Sequence, residues 1–178
     1  MVRRLKVLLI KPYQESNETI PPLGLGYLAS TIRSEHEVEI FDGILFRLNT
    51  KKLRSLLKKR YYDVIGIQCY TSDLLTVKKY SDVIHAISPS ILLLVGGPQP
   101  TSLPDYTLSF LNAIDFGFVG EAEIGFKKLI HLFSKIEDKN QLNINDLQSI
   151  PGLIYRLGDP SEECVIKTNP MELPQNLD

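Results

Sequence analysis

The chain has 178 residues, of which 43% are hydrophobic and 23% charged, with a formal net charge of -1. Without an internal repeat, that apolar content supports one domain with a substantial core and excludes a solvated linker or disordered tail as the main character of the chain. The near-neutral balance gives no general field for nucleic acid or an anionic membrane. No apolar stretch is long enough to cross a bilayer and no signal peptide is present, so the chain reads as cytoplasmic, with neither nucleic acid nor membrane as partner.

The first strand-like run is LKVLLI at residues 5–10, and Leu25, Leu28, Ala29 and Ile32 then recur at helical spacing. VEIF at 38–41 is followed by Leu53, Leu56 and Leu57, whose intervening Lys51, Lys52, Arg54, Lys58, Lys59 and Arg60 read as the solvated face of a second helix. VIGIQ at 64–68 precedes a helical pattern of Val77, Ser81 and Ile84. ILLLV at 91–95 leads into a poorer connection, with Pro104 near a helix start and Leu108 and Leu111 as a short apolar face. FGFV at 116–119 precedes the fifth helical pattern: Glu121 and Glu123 in a first turn, where the helix dipole favours carboxylates, then Phe126, Leu129 and Phe133. Most of these runs lack polar alternation, as strands buried on both faces do. Five strand–helix units with right-handed crossovers predict an α/β fold, a flavodoxin-like (Rossmann-type) doubly wound five-stranded parallel sheet.

Beyond Lys135 the segment IEDKNQLNINDLQS has no periodicity and reads as a connector. GLIYRL (152–157) and CVIKT (164–168), separated by GDPSEE, predict an antiparallel hairpin at the sheet's edge. Residues 169–178 carry two prolines and no apolar face and predict a linker, so the domain is expected to span 1–168.

A ligand in such a sheet sits outside the carboxyl ends of the strands, which directs attention to KPYQESNETIPP, CYTSD, GGPQP and GEAE. Gly96-Gly97 either lets a ligand approach the backbone or makes a tight turn, and the prolines after it predict an extended loop rather than a helix. Gly24, Gly26 and Ala29 fit the dinucleotide fingerprint G-x-G-x-x-A, with Asp42 as its ribose acid, but they stand fourteen residues beyond Ile10 instead of at the first turn after the strand. Those glycines read instead as thinning one face of the first helix. A phosphorylated receiver domain needs acids at the ends of the first and third strands, where Lys11 and Gln68-Cys69 stand. Cys69 and Cys164 are far apart, as are His36, His85 and His131, so reduced thiols and no metal site are expected. Ser16, Asn17 and Thr19 could receive a phosphate if the domain were a flavin mononucleotide carrier. Ser72 stands where it could cap the third helix.

The ordered set KPYQ…PPLGLGYLASTI, VEIFDG, DVIGIQCYTSD, LLLVGGPQPTSLPD, DFGFVGEAE and IPGLIYR resembles the N-terminal cobalamin-binding domain of cobalamin-dependent radical S-adenosylmethionine enzymes, over residues 5–157 and into the terminal segment. The resemblance implies a cobalamin held above the strand ends with its nucleotide tail running into the cleft. Ser72-x-Leu74 matches that family's S-x-L element, with the Thr71 and Ser72 hydroxyls able to donate to the tail. Gly96-Gly97 matches its G-G element and continues through Pro98 and Gln99, while Gly120 and Glu121 border the same cleft. The older pattern D-x-H-x-x-G, which supplies a histidine to cobalt, is absent from the loop after the first strand. The resemblance therefore implies base-off cobalamin without a histidine ligand, near Pro12, Tyr13 and Gln14. It also implies that this chain alone carries no catalytic residue, and that a radical SAM domain follows in cis, bringing a [4Fe–4S] cluster, S-adenosylmethionine and methyltransferase activity. The alternative is a degenerate, non-catalytic domain of the same fold acting as an interaction scaffold.

Overall fold

The computed structural model describes residues 2–15, 20–157 and 165–170. Seven strands form one sheet in the order β2-β1-β3-β4-β5-β6-β7. The first five, β1 (Lys6–Lys11), β2 (Glu37–Asp42), β3 (Val64–Gln68), β4 (Leu92–Gly96) and β5 (Phe116–Phe118), are parallel. The remaining two, β6 (Leu153–Arg156) and β7 (Val165–Lys167), are antiparallel. The sheet thus has seven strands rather than five, because the hairpin expected at the edge is hydrogen-bonded into it. Phe116 pairs with Tyr155 and Phe118 with Leu153, so the hairpin covers what would be an open edge at β5. The strand order reverses between β1 and β3, the switch point at which doubly wound sheets leave a crevice.

The sheet is buried on both faces, and the period-two alternation of each strand divides its apolar residues between two cores. Leu8, Ile10, Ile65, Ile67, Leu93 and Val95 face one core with Leu53 of α2 (Thr50–Lys59), Val77 and Tyr80 of α3 (Leu74–Ile87) and Leu108. Val7, Leu9, Val64, Leu92, Leu94 and Phe118 face the other, with Leu25 and Ile32 of α1 (Leu23–Ile32) and Phe126, Leu129 and Phe133 of α6 (Glu123–Phe133). The strand β2 is half-exposed, as befits an edge, and Glu37 and Glu39 on it guard that edge against pairing with another chain.

Two expectations need correction. The chain after Gly97 is not extended: Pro98–Ser102 forms a short helix, α4, followed directly by α5 (Pro104–Phe110). Proline in the first turn removes an N–H that has no intrahelical partner there, so Pro98 and Pro104 start helices instead of preventing them. The polar connector is also structured. Asp138 caps a 3-10 turn at Lys139–Gln141, and Asn143 caps α7 (Ile144–Gln148) by accepting from the Asn145 N–H. Lys139 ties this segment to the sheet, pairing with Asp115 at 2.8 Å and donating to the Ile91 carbonyl at 3.1 Å, while Leu147 and Ile150 are buried beneath it. No helix among the described residues is long and apolar enough to cross a membrane. The linker expected at 169–178 lies mostly outside the described residues, as do Cys164 and the possible phosphate loop at Ser16, Asn17 and Thr19.

Candidate functional site

A cleft of about 650 Å³, counting the space at its open mouth, lies between the sheet and the helices α1 and α6. Strand register explains its floor. Leu9 pairs with Gly66, and Gly66 with Leu94, so a glycine stands between two leucines in one lateral row at the switch point. The next residues on the same face, Gln68 and Gly96, are also in register. Phe118 and Phe126 close one side, Leu25 and Leu28 the other, and Gly120, Glu121 and Glu123 form the rim at the start of α6.

The two glycines at the end of β4 have different roles. Gly97 has φ +105°, and a Cβ there would stand 3.1 Å from the Cys69 carbonyl oxygen and 3.3 Å from its nitrogen. The close approach is held by hydrogen bonds from the Cys69 N–H to the Gly96 carbonyl (2.8 Å) and from the Gln99 N–H to the Cys69 carbonyl (3.0 Å). Gly97 is therefore required by the turn. Gly96 has no such constraint: a Cβ on it would meet nothing within 4 Å, and the same is true of Gly24, which also lines the cleft. Protein packing does not explain these two absent side chains, whereas a ligand entering the cleft would.

The rim is pinned by a residue that sequence reasoning passed over. The Thr101 hydroxyl donates to the Gly97 carbonyl at 2.9 Å and accepts from the Gly120 N–H at 3.0 Å, joining the loops after β4 and β5. Its signal in the sequence, a threonine one turn after a glycine, is too common to single out. Glu123 was legible only as a first-turn carboxylate; it borders both this cleft and the groove lined by Lys127 and His131, and its Oε2 is shut off from solvent with no hydrogen-bond partner among the described residues.

The other residues singled out by sequence gather elsewhere. Thr71 and Ser72 are exposed in a 3-10 turn (Thr71–Asp73) after β3. The Ser72 hydroxyl approaches Gln14 Oε1 at 3.4 Å and Asp73 Oδ1 at 3.3 Å, linking this turn to the loop after β1. Ser72 does not cap α3. Asp73 stands at that position and accepts instead from the Tyr70 N–H at 3.2 Å, and burial holds its carboxyl above the usual range. Leu74 is buried and Tyr13 packs on the same core, against the sheet face opposite the cleft, while Pro12 is buried beside them and Gln14 is exposed. Pro98 is exposed. Gln99 is fully buried and donates to Thr107 Oγ1 at 3.3 Å, between α4 and α5. Of the twelve positions, the cleft brings together Gly96, Gly97, Gly120 and Glu121.

Electrostatics near the strand ends is largely internal. Lys11 pairs with Asp42 at 3.6 Å and donates to the Ile20 carbonyl at 2.5 Å. Asp42 also accepts from the Ile44 N–H, so it is engaged in its own turn and not held out for a ribose, in keeping with the misplaced glycine fingerprint. Burial, with a smaller contribution from Asp73, pushes the Cys69 thiol up to about 12, which makes it an inert core residue. Among the described residues no group of three or more His, Cys, Asp or Glu side chains is arranged to hold a metal ion.

Comparison with known proteins matches the B12 binding domain family over residues 13–130. The uncharacterized methyltransferase PH0819 of Pyrococcus horikoshii is 33% identical over 180 residues, covering 98% of this chain and 37% of the relative. The radical S-adenosylmethionine methyltransferase TsrM from Kitasatospora setae, solved with cobalamin and a [4Fe-4S] cluster bound, superposes with a TM-score of 0.76 at 19% identity over 94% of this chain and 31% of that one. Apo OxsB, a cobalamin-dependent S-adenosylmethionine radical enzyme, gives 0.71 at 19% identity over 97% of this chain and 23% of its own. The chain thus spans just over a third of the curated relative's length and under a third of either solved chain, and the structural likenesses establish the fold.

Proposed function

The chain belongs to the B12 binding domain family, and from that premise we propose that it is the cobalamin-holding module of a longer radical S-adenosylmethionine enzyme, with the nucleotide tail seated in the cleft. The observation that carries this reading is the pair Gly24 and Gly96, whose missing side chains leave space that no other described residue fills. An apolar floor of Leu9, Leu94 and Phe118 around Gly66 suits a flat heterocycle, which gains by leaving water. The G-G and GEAE loops would border the tail. The S-x-L turn would act at the neighbouring loop, where Ser72 meets Gln14.

When bound, the corrinoid supplies a cobalt centre able to carry a methyl group. The loop after β1 offers no imidazole to it, since residues 11–22 contain no histidine. His36 is buried where the Leu5 N–H donates to its Nδ1 at 3.3 Å, before β1 begins. Pro12, Tyr13 and Gln14 would then belong to the loop nearest the corrin, of which Gln14 is exposed, and the cofactor would be held base-off without a histidine ligand. Ile20, Leu23, Tyr70, Leu75 and Leu103 are each exposed on segments that follow the strands' carboxyl ends, where they would be available to the corrin edge or to the rest of the enzyme. Residues 1–168 would be the module and 169–178 the lead into a domain bearing the [4Fe-4S] cluster and S-adenosylmethionine. The greater length of the P. horikoshii relative supports that arrangement.

Incubation with hydroxocobalamin followed by desalting tests the reading. A retained corrinoid band with a base-off spectrum is expected, and after reduction the paramagnetic cobalt should show no nitrogen hyperfine structure. A protein that emerges colourless would instead mark an interaction scaffold, and imidazole hyperfine lines would overturn the base-off assignment.

A further inference from the structure

Residues 43–62 hold seven of the chain's twenty lysines and arginines and none of its twenty-one acids. The net charge of -1 averages over this segregation, so the lack of a general field does not extend to the flank formed by α2 and the residues around it. Arg60 there is occupied by Glu39 at 2.7 Å, and Lys52 donates to the Phe46 carbonyl at 2.8 Å. Lys51, Arg54, Lys58 and Lys59 are exposed and have no acidic partner among the described residues. The helix dipole accounts for Lys58 and Lys59 in the last turn, but Lys51 and Lys52 stand in the first turn, where cations oppose the dipole and no acid offsets them. With Thr50 and Ser55, the side chains of Lys51, Arg54 and Lys58 line a shallow groove of about 700 Å³, counting its open mouth. Beside the first turn, on the loop that enters α2, Leu45 and Phe46 are 60% and 52% exposed, and the Phe46 ring is braced on Phe41 with 5.0 Å between centroids. We propose that α2 is a docking track for single-stranded nucleic acid, with phosphates along Lys51, Arg54 and Lys58 and a base stacked on Phe46.

The chemistry of this surface favours a phosphate backbone over other anionic partners. Leu53, Leu56 and Leu57 of α2 are packed into the core, so the helix keeps no apolar face to bury in a bilayer. A protein partner needs an apolar or aromatic centre within a polar rim, and lysine is depleted from such centres. Here the centre is cationic and the aromatic ring stands at one end. A single strand requires that combination, cations along its backbone and a ring face for a base. Lys51 and Lys58 lie about 10 Å apart along the helix axis, so with Arg54 between them they engage neighbouring phosphates of one strand. Because α2 follows β2, it begins at the strands' carboxyl ends, and it packs on the sheet face opposite the cleft. A strand on the track therefore reaches the same end of the sheet as the cleft without entering it, and its binding does not depend on a corrinoid.

Fluorescence anisotropy of a labelled, unstructured RNA of about twelve nucleotides, titrated with the chain at about 50 and 200 mM salt, tests the track. Three phosphate contacts on a single strand give a slope of log affinity against log salt of about -2, hence about twentyfold weaker binding at the higher salt. The double variant Lys51→Glu/Arg54→Glu should weaken binding about tenfold or more and flatten the slope by about 1.4. Phe46→Ala should weaken it about fivefold to a hundredfold with the slope unchanged. Arg33→Glu/Lys127→Glu makes the same change in net charge on α1 and α6 and should stay within about twofold of the native chain. The charge variants alter exposed side chains, and Lys51→Glu relieves an unfavourable first-turn charge, so melting temperatures should hold or rise. DNA of the same sequence should bind comparably, since phosphates and a base face make no use of the 2′-hydroxyl. No RNA binding at the lower salt, an equal loss in Arg33→Glu/Lys127→Glu, or unchanged binding in both the α2 and Phe46 variants overturns the proposal. So does a labelled polyglutamate peptide of equal charge, or phosphatidylglycerol vesicles, bound as tightly as the RNA. Corrinoid retention should be the same in all these variants, so the track and the cobalamin module fail separately.

Discussion

Replacing Gly96 by valine separates folding from ligand binding at a single position. The residue ends β4, its φ is not in the left-handed region, it pairs with Gln68, and a Cβ would meet nothing within 4 Å. The fold should therefore accept Gly96→Val without strain, and a β-branched residue in a strand should hold the melting temperature or raise it slightly by reducing unfolded-chain freedom. The added methyls would occupy the space assigned to the tail. Forcing extra methyl groups into an occupied site costs ~1–3 kcal/mol, which weakens cobalamin roughly fivefold to more than a hundredfold. Gly97 supplies the contrast. With φ +105° and the Cys69 carbonyl oxygen 3.1 Å from where a Cβ would stand, Gly97→Ala strains the backbone by ~1–3 kcal/mol and should lower the melting temperature by about 2–12 °C, so any loss of binding there is confounded with the turn. Thermal melts followed by circular dichroism, together with corrinoid titration, read both variants. Full cobalamin affinity in folded Gly96→Val would refute the assignment of the cleft to the tail.

Thr101→Val removes the hydroxyl that joins Gly97 to Gly120; a loss of ~1 kcal/mol, about 2–4 °C in melting temperature, and a severalfold weaker corrinoid complex are expected from the same two measurements. Burial lowers the pKa of His36 from its ordinary 6.5, so the unfolded chain takes up a proton that the fold refuses. Its contribution to stability is intact above 6.5, falls as the pH drops below that value and levels off below the folded-state pKa; melting curves from pH 8 to 5 should show the decline, and His36→Gln should flatten it over this window. With only two cysteines, the chain cannot supply the thiolates of a [4Fe-4S] cluster, so incubation with iron, sulfide, reductant and S-adenosylmethionine should yield no 5′-deoxyadenosine by chromatography, whereas the longer protein proposed above should yield it.

The parallel strands were legible because burial on both faces leaves unbroken apolar runs: VIGIQ coincides with β3, and the runs at 5–10 and 91–95 fall within a residue of β1 and β4. The helix α4 was not, because Pro98 and Pro100 read as breakers unless the turn that places them in a first helical turn is known, and that turn depends on the φ of Gly97. The segment around α7 was missed for a different reason. Its order comes from a contact distant in sequence, Lys139 with Asp115, and from caps too short to stand out in a polar stretch. The site residues were read as one set, yet the crossovers send α1 and α6 to one face of the sheet and α2 and α3 to the other. The S-x-L turn therefore sits with the second core while the G-G and GEAE loops border the cleft.

The same logic explains why the most informative glycine in the sequence was the least conspicuous. An isolated glycine inside a strand weakens it and signals a close approach, so Gly66 in VIGIQ carried a signal, but its meaning depends on its neighbours across the sheet. Only the register places it between Leu9 and Leu94, and only the strand order puts that row at the switch point. A Cβ at Gly66 would stand 3.0 Å from the end of the Leu9 side chain, so Leu9 leans into the space the glycine leaves, and the floor stays apolar and low. Two residues beyond Leu94 on the same face of the neighbouring strand, Gly96 extends the low floor to the strand ends. A groove with its depth set by Gly66, its mouth by Gly96 and its helix wall by Gly24 is built from three elements far apart in the chain. No single motif in the sequence encodes it, whereas the order of the motifs does, because that order fixes which strands become neighbours.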